Sequence, residues 1–385
     1  MHFGSDLMRR ILWIALVAGV IAAGCNQGAQ PRPEQARPHP PTHQQVKTEH
    51  PKISSSPTIT TVGYLEPVDP REAGDVVEGV GKHLSYVAFF SYRVKPDGSL
   101  IPLKDEYPLR VTKRQGAVPM LVITNFAGGN FQPDIAHSIF TDRSAQRRLI
   151  RNVIRVMKKK GYGALNVDFE HIREEDRELY NAFLKTFLPR MRREGFVVST
   201  ALAPKTSDRQ GGPWHGAHDY AVHGKLADFV ILMTYEWGWT GGPPMAVAPV
   251  PQVRDVLDYA VRKIPRNKIV MGAPLYGYDW TLPYRKGGPP AKRLSPREAA
   301  GLAKMKGARV LYSNRDQAPY YYYRDDRGKE HVVWYENEES MQAKFNLVKE
   351  YRLRGISYWV LGEEFPQNWR LLRENFHIRK AKKTA

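Results

Sequence analysis

Ala164-Leu165-Asn166-Val167-Asp168-Phe169-Glu170 alternates two kinds of side chain. In an extended strand successive side chains point to opposite faces, so Asn166, Asp168 and Glu170 share one face while Leu165, Val167 and Phe169 share the other. Three polar groups are costly to bury without partners, whereas the apolar set needs a hydrophobic cover. The pattern fits a strand of a parallel barrel, with helices over the apolar side and polar groups gathering where the strand's C-terminal end opens. Two carboxyls so close also repel, which raises one pKa and keeps a proton on it near neutral pH. An ordinary charged loop starting just after the strand is the competing reading.

Outward from this stretch, short apolar runs recur at residues 60–64, 86–92, 119–126, 197–203, 229–235, 269–276 and 356–361. With 164–170 they make eight, the number a (β/α)8 barrel needs. Helical stripes lie between several of them. Leu149, Ile150, Val153, Ile154 and Met157 form one before the fourth run; Leu179, Phe183, Leu184, Phe187, Leu188 and Met191 form another after it. The expected fold class is therefore α/β, a TIM barrel spanning residues 59–378. About eighty residues separate the seventh and eighth runs, including a tyrosine run at 320–323, so a small α+β subdomain is expected as an insertion at about 282–340.

Composition agrees with one large domain. The 385 residues are 42% hydrophobic and 11% aromatic with eight Trp, too apolar for a disordered chain. A single cysteine, Cys25, excludes an intramolecular disulfide and a Cys-rich zinc site. The formal charge of +19 invites a nucleic-acid reading, yet the basic residues are spread along the chain and no helix-turn-helix or zinc-finger spacing accompanies them. A basic face that attracts a polyanion, such as a cell wall or an anionic membrane, accounts for the charge instead. His215, His218 and His223 with Asp219 lack metal-site spacing and are taken as loop residues, with no metal and no cofactor expected.

The 164–170 stretch resembles the fourth-strand motif of family 18 glycoside hydrolases, written DxxDxDxE, with Glu170 as its last residue and Asp168 before it. The two earlier Asp positions fall on Gly163 and Asn166, and both are departures. Asn166 is similar to the bacterial branch acting on spore cortex peptidoglycan. Phe90-Ser91-Tyr92, Asp97-Gly98-Ser99-Leu100, Thr124-Asn125-Phe126, Met233 to Gly238, Pro243-Pro244-Met245-Ala246, Gly272 to Gly277 and Ser357-Tyr358-Trp359 resemble that branch in order, over roughly residues 59–377.

The resemblance implies an exported glycosidase for β-1,4-linked glycans containing N-acetylglucosamine, with peptidoglycan as the substrate. Chitin is the alternative within the same enzyme class, and a non-catalytic glycan-binding protein is the alternative outside it. The implied chemistry is substrate-assisted: the sugar's 2-acetamido oxygen is the nucleophile. Glu170 would be acid and then base, Asp168 would accept the acetamido N–H, and Tyr235 would donate to the acetamido oxygen. Asn166, Glu236, Trp237, Trp359 and Tyr276 are the implied substrate contacts, with Trp359 as the floor under the sugar. For Glu236 a structural role stays open beside the substrate contact. Trp239, Tyr278 and Trp280 are further loop aromatics, some of them expected in the core.

The N-terminus sets the compartment. Arg9 and Arg10 precede an apolar run from residue 11 to 23, shorter than a bilayer span and read as a secretory signal. Ala22-Ala23-Gly24-Cys25 resembles a bacterial lipobox, which would leave lipid on Cys25; otherwise Cys25 is a lone thiol. Residues 25–58 are proline-rich and read as an extended linker, and residues 379–385 as a basic tail. No wall-binding repeat of the LysM type is visible, so lipid and linker are the implied targeting device. The expected partners are peptidoglycan and, through the lipid, a membrane, with no nucleic acid; the protein is expected to act as a monomer at the outer membrane face, in the wall or in the spore envelope. Cys25→Ser should abolish incorporation of labelled palmitate in a bacterial host; equal labelling of mutant and wild type would rule out the lipidation.

Overall fold

A computed structural model describes residues 56–66 and 69–380. The expected signal segment, Cys25 and nearly all of the linker lie outside those residues, as does the tail beyond Lys380. Eight strands, β1 (Thr58–Leu65), β2 (Tyr86–Val94), β3 (Val118–Thr124), β4 (Ala164–Asp168), β5 (Val197–Leu202), β6 (Phe229–Leu232), β7 (Ile269–Pro274) and β8 (Gly355–Trp359), pair in parallel in chain order. β1 pairs with β2 on one side and with β8 on the other, which closes the barrel.

Two apolar clusters follow from the two faces of each strand. Val62, Tyr86, Ala88, Met120, Val122, Ala164, Phe229, Ile231 and Val270 fill the barrel interior. Leu165, Val167 and Phe169 lie on the other side, in the larger cluster shared with the helices. The alternation read in 164–170 is thus the division between interior and helix layer.

Helices alternate with the strands. Arg143–Lys160 begins where the Asp142 side chain accepts the Ser144 N–H. It ends at Gly161, whose left-handed φ of 73° turns the chain down toward β4. Arg177–Arg193 buries Phe183, Leu184, Phe187, Leu188 and Met191 as its spacing predicts. Its first turn differs: Leu179 is exposed and Tyr180 is buried, stacked on Phe140 at 4.9 Å. An apolar side chain at the edge of a stripe gives way to a larger neighbour that fills the space better.

Between β7 and β8 an antiparallel sheet is inserted, its five strands lying between Gly277 and Trp334. Helix Pro296–Met305 covers one face through Ala299 and Ala303, against Tyr321 and Val333. The sheet begins immediately after β7, and helix Glu338–Glu350 returns the chain to β8. At the opposite end of the barrel, the Arg379 N–H donates to Ile59 O and Lys380 donates to Lys82 O and Leu84 O, tying the start of the basic tail to the closed end.

Closure depends on one close backbone approach. Gly355 pairs with Thr60, and a Cβ at Gly355 would fall 1.8 Å from the Thr60 carbonyl oxygen. Gly301, in the inserted helix, has nothing within 4 Å of the equivalent position. Gly355→Ala should lower stability by about 1–3 kcal/mol through overpacking. Gly301→Ala should be neutral or raise stability by up to about 1 kcal/mol. Chemical denaturation of both variants checks the contrast, and an unchanged Gly355→Ala midpoint would contradict it.

Candidate active site

The C-terminal mouth of the barrel collects the polar groups. Asn166 lies one layer down, fully buried, its Oδ1 accepting from Tyr64 OH at 3.1 Å and its Nδ2 donating to Ser199 Oγ at 3.0 Å. A neutral amide at this depth avoids a third buried carboxylate. Asp168, the last residue of β4, is 3% exposed, and its Oδ1 has no hydrogen-bond partner among the described residues. Burial pushes its pKa up to about 7.

Glu170 follows two residues later and is also buried. Burial above all, then the neighbouring Asp168, drive its pKa well above the usual carboxyl value, with Glu236 adding to the effect. A hydrogen bond from Trp214 Nε1 to Glu170 Oε2, at 2.8 Å, opposes the rise. The pair therefore holds a proton near neutral pH while leaving one carboxyl oxygen on Asp168 unsatisfied.

Three supports keep Glu170 in place. Asn125, just past β3, donates from Nδ2 to Glu170 O at 2.8 Å and accepts from Glu170 N–H at 3.0 Å, continuing the strand pairing beyond the end of β4. His218 accepts the Ala203 N–H at Nδ1, at 2.8 Å, which makes Nε2 the protonated nitrogen; that nitrogen lies 3.1 Å from Phe169 O. His218 thus clips the ends of β4 and β5 together, and burial lowers its pKa to about 4. His171, next after Glu170, has a φ of 50°, a sparsely populated conformation that turns the chain away from the mouth.

The other expected positions divide between mouth and core. Tyr235 sits just beyond β6 with its phenol raised well above 10, first by burial and then by Asp168 and Glu170, so it remains a hydrogen-bond donor. Glu236 has a φ of 68° and accepts from Tyr276 OH and from Tyr278 OH, the latter at 2.9 Å. Burial raises its carboxyl, while the two phenols and Arg293 oppose the shift. Tyr276 itself is 1% exposed and has the Arg293 guanidinium 4.6 Å above its ring. Trp237 is half-buried, its backbone N–H donating to Val247 O. Tyr278 and Trp280 are core residues, and Trp280 Nε1 donates to Gly242 O at 2.9 Å.

Trp359 ends β8 half-buried, 5.5 Å from Tyr64 and 4.9 Å from Phe90 between ring centroids. From Phe90 a chain of half-buried rings runs along the rim through Phe126, Phe131 and His171 to Trp214, with centroid separations of 5.2–6.4 Å. Apolar faces at this spacing suit the stacked faces of a sugar polymer. Trp214 and His218 were not expected at the site. Trp214 lies in Gly211-Gly212-Pro213-Trp214-His215-Gly216, a turn-rich loop following a barrel strand, and that context is the signal that marks it.

The profile described as Glycosyl hydrolases family 18 matches residues 72–364. The cortical fragment-lytic enzyme of Bacillus subtilis is 43% identical over 323 residues, covering 83% of this chain and 75% of that protein. The crystal structure of the Bacillus cereus spore cortex-lytic enzyme SleL superposes with a TM-score of 0.83 at 41% identity, covering 85% of this chain and 76% of that one. A chitinase from Chromobacterium violaceum superposes with a TM-score of 0.75 at 25% identity, over 83% of this chain and 99% of its own. With the acidic motif at the end of β4, the closed barrel and a match over most of the described residues, the chain belongs to family 18 of the glycosyl hydrolases.

Proposed function

We propose that this glycosidase cleaves β-1,4 linkages on the reducing side of N-acetylglucosamine in peptidoglycan, by substrate-assisted retaining catalysis. The observation that carries the reading is the buried Oδ1 of Asp168, without a hydrogen-bond partner among the described residues, close to a Glu170 carboxyl that burial pushes well above the usual range. A buried acceptor without a donor matches an amide N–H brought by the substrate. The relatives named cortical fragment-lytic enzyme and spore cortex-lytic enzyme support a cortex-type glycan.

In this mechanism the acetamido oxygen attacks the anomeric carbon as the glycosidic C–O bond breaks. Glu170 gives its proton to the departing oxygen, and an oxazolinium ion forms on the sugar. Asp168 accepts from the acetamido N–H and faces the positive ring; Tyr235 donates to the acetamido oxygen and aligns it. Glu170, now a carboxylate, takes a proton from water, which attacks the same carbon and reopens the ring. Trp359 supplies the apolar floor and Trp237 a further contact, while Asn166, fully buried below and paired with Tyr64 and Ser199, supports the strand beneath Asp168. Glu236 and Tyr276 act as one unit, the tyrosine fixing the carboxylate that reaches the sugar.

Lipid on Cys25 and an extended linker would hold the protein outside the cell, where the +18 left once residues 1–24, with two Arg and one Asp, are removed from the whole-chain +19 favours acidic wall polymer. Chitin oligomers carry the same acetamido group, and the similarity to a chitinase structure keeps them as the second substrate class.

Digestion of purified cortex and vegetative sacculi should release new reducing N-acetylglucosamine ends, read by mass spectrometry; new reducing muramic ends would overturn the assignment. Glu170→Gln should lower turnover by at least about 100-fold while still sedimenting with the polymer. A thiazoline analogue of N-acetylglucosamine should inhibit competitively, and Asp168→Asn should weaken that inhibition together with turnover. A 2-fluoro sugar lacking the acetamido group should label nothing, whereas an adduct on Asp168 or Glu170 would contradict the substrate-assisted route.

A further inference from the structure

The loop after β5 is built around a side chain from the loop after β4. Glu174 Oε2 accepts the Gly212 N–H at 2.8 Å. A Cβ at Gly216 would lie 2.6 Å from Glu174 Cγ, and one at Gly211 would lie 2.7 Å from Oε2. Gly212 has a φ of 91°, and its carbonyl accepts the Gly216 N–H at 2.8 Å, closing the turn. Two glycines therefore let the backbone wrap Glu174, and the third makes the bend. Trp214 projects from the middle of this turn.

The indole is held from both sides. Its ring lies 6.3 Å from His171, nearly parallel at 10°, and 5.1 Å from His215. Its N–H meets Glu170 Oε2 at 2.8 Å. Tryptophan can only donate, so this oxygen must accept, and a neutral carboxyl accepts best through its carbonyl oxygen. Of the two Glu170 oxygens, only one is then free to bear hydrogen.

We propose that Trp214 is a positioning residue for glycan cleavage: it holds Glu170 Oε2 as the accepting oxygen and so assigns the acidic proton to Oε1. The proposal rests on the reading of Glu170 as proton donor. In the first half-reaction the Oε1 proton passes to the glycosidic oxygen, which keeps the electron pair of the broken bond. In the second, the N–H bond to Oε2 stabilises the carboxylate that removes a proton from water, and Oε1 recovers it. One fixed donor thus serves both states of the same group. The Glu174 turn fixes where that donor stands.

A donor to Oε2 stabilises the ionised carboxyl, so removing it raises the Glu170 pKa and keeps the acid protonated to higher pH. In Trp214→Phe, which keeps an aromatic ring and loses the N–H, the basic limb of kcat/KM on soluble cortex fragments should move up by about one pH unit. kcat should fall about tenfold or more with little change in KM. A purely structural role would lower activity at every pH and leave the limb in place, which overturns the proposal.

A second measurement uses the intact side chain. In the full chain carrying 5-fluorotryptophan, the fluorine resonance of residue 214, assigned by its loss in Trp214→Phe or Trp214→Tyr, should titrate with a step that disappears in Glu170→Gln. A resonance with no step tied to Glu170 overturns the proposal. Turnover by Glu170→Gln would remove the proton-donor reading and this proposal with it. An inactive Glu170→Gln alongside an unmoved Trp214→Phe limb would remove the Trp214 role alone.

Discussion

Two carboxyl groups held out of water at the end of one strand set the terms for the mouth of this barrel. Asp168 and Glu170 are both buried, which raises the cost of ionising either, and Asp168 adds to that cost at Glu170. Such a pair persists only where the surrounding structure prevents the strand end from fraying into solvent. Asn125 extends the pairing of β4 past its last regular residue, His218 clips β4 to β5, and the Tyr64, Asn166 and Ser199 layer beneath gives the strand a satisfied polar base. None of these groups has to enter the chemistry. Together they hold both carboxyls at the strand end, with Asp168 Oδ1 buried and without a donor among the described residues.

The same constraint explains why strained backbone sits here. His171 and Glu236 both adopt positive φ, which costs a non-glycine residue about 1 kcal/mol or more. At His171 the turn lets Glu170 stay at the mouth while its neighbour joins the aromatic rim. At Glu236 it aims a carboxylate at Tyr276 and Tyr278, the second of which belongs to the inserted sheet. Arg293, from the next strand of that sheet, lies over Tyr276 and within 3.0 Å of Glu363 past β8 and 3.7 Å of Glu66 past β1. The insertion is thereby joined by charge and rings to residues just past β7, β8 and β1.

Charge works at a longer range. The chain carries an excess of 19 positive charges, and some of its other basic residues are paired with carboxylates on the surface, as in Arg114 with Glu78 and Arg148 with Asp97. Exposed pairs of this kind contribute little to stability. The charge left unbalanced by carboxylates sets the positive field around the protein, whereas the groups at the mouth are acidic and aromatic.

The sequence by itself determined the eight strands, the division of 164–170 into an interior and a helix-facing side, and the family. All three depend on periodicity or contiguous motif, which are local. It also placed Glu170, Asp168, Tyr235 and Trp359 at strand ends, because position along a parallel strand predicts position in the barrel. Only the tertiary structure decided what surrounds them. Trp214 lies 44 residues from Glu170 in the chain, and Asn125 lies 45 away. Tyr276 was expected as a sugar contact; the structure shows it buried and donating to Glu236, a pairing between loops that its place after β7 does not reveal. Leu179 left its stripe to Tyr180 for a related reason: volume in the helix layer is settled by neighbours from other elements. Hydrogen bonds and packing between loops of different strands leave no periodic trace, so the partners of the two carboxyls became visible only when the barrel closed.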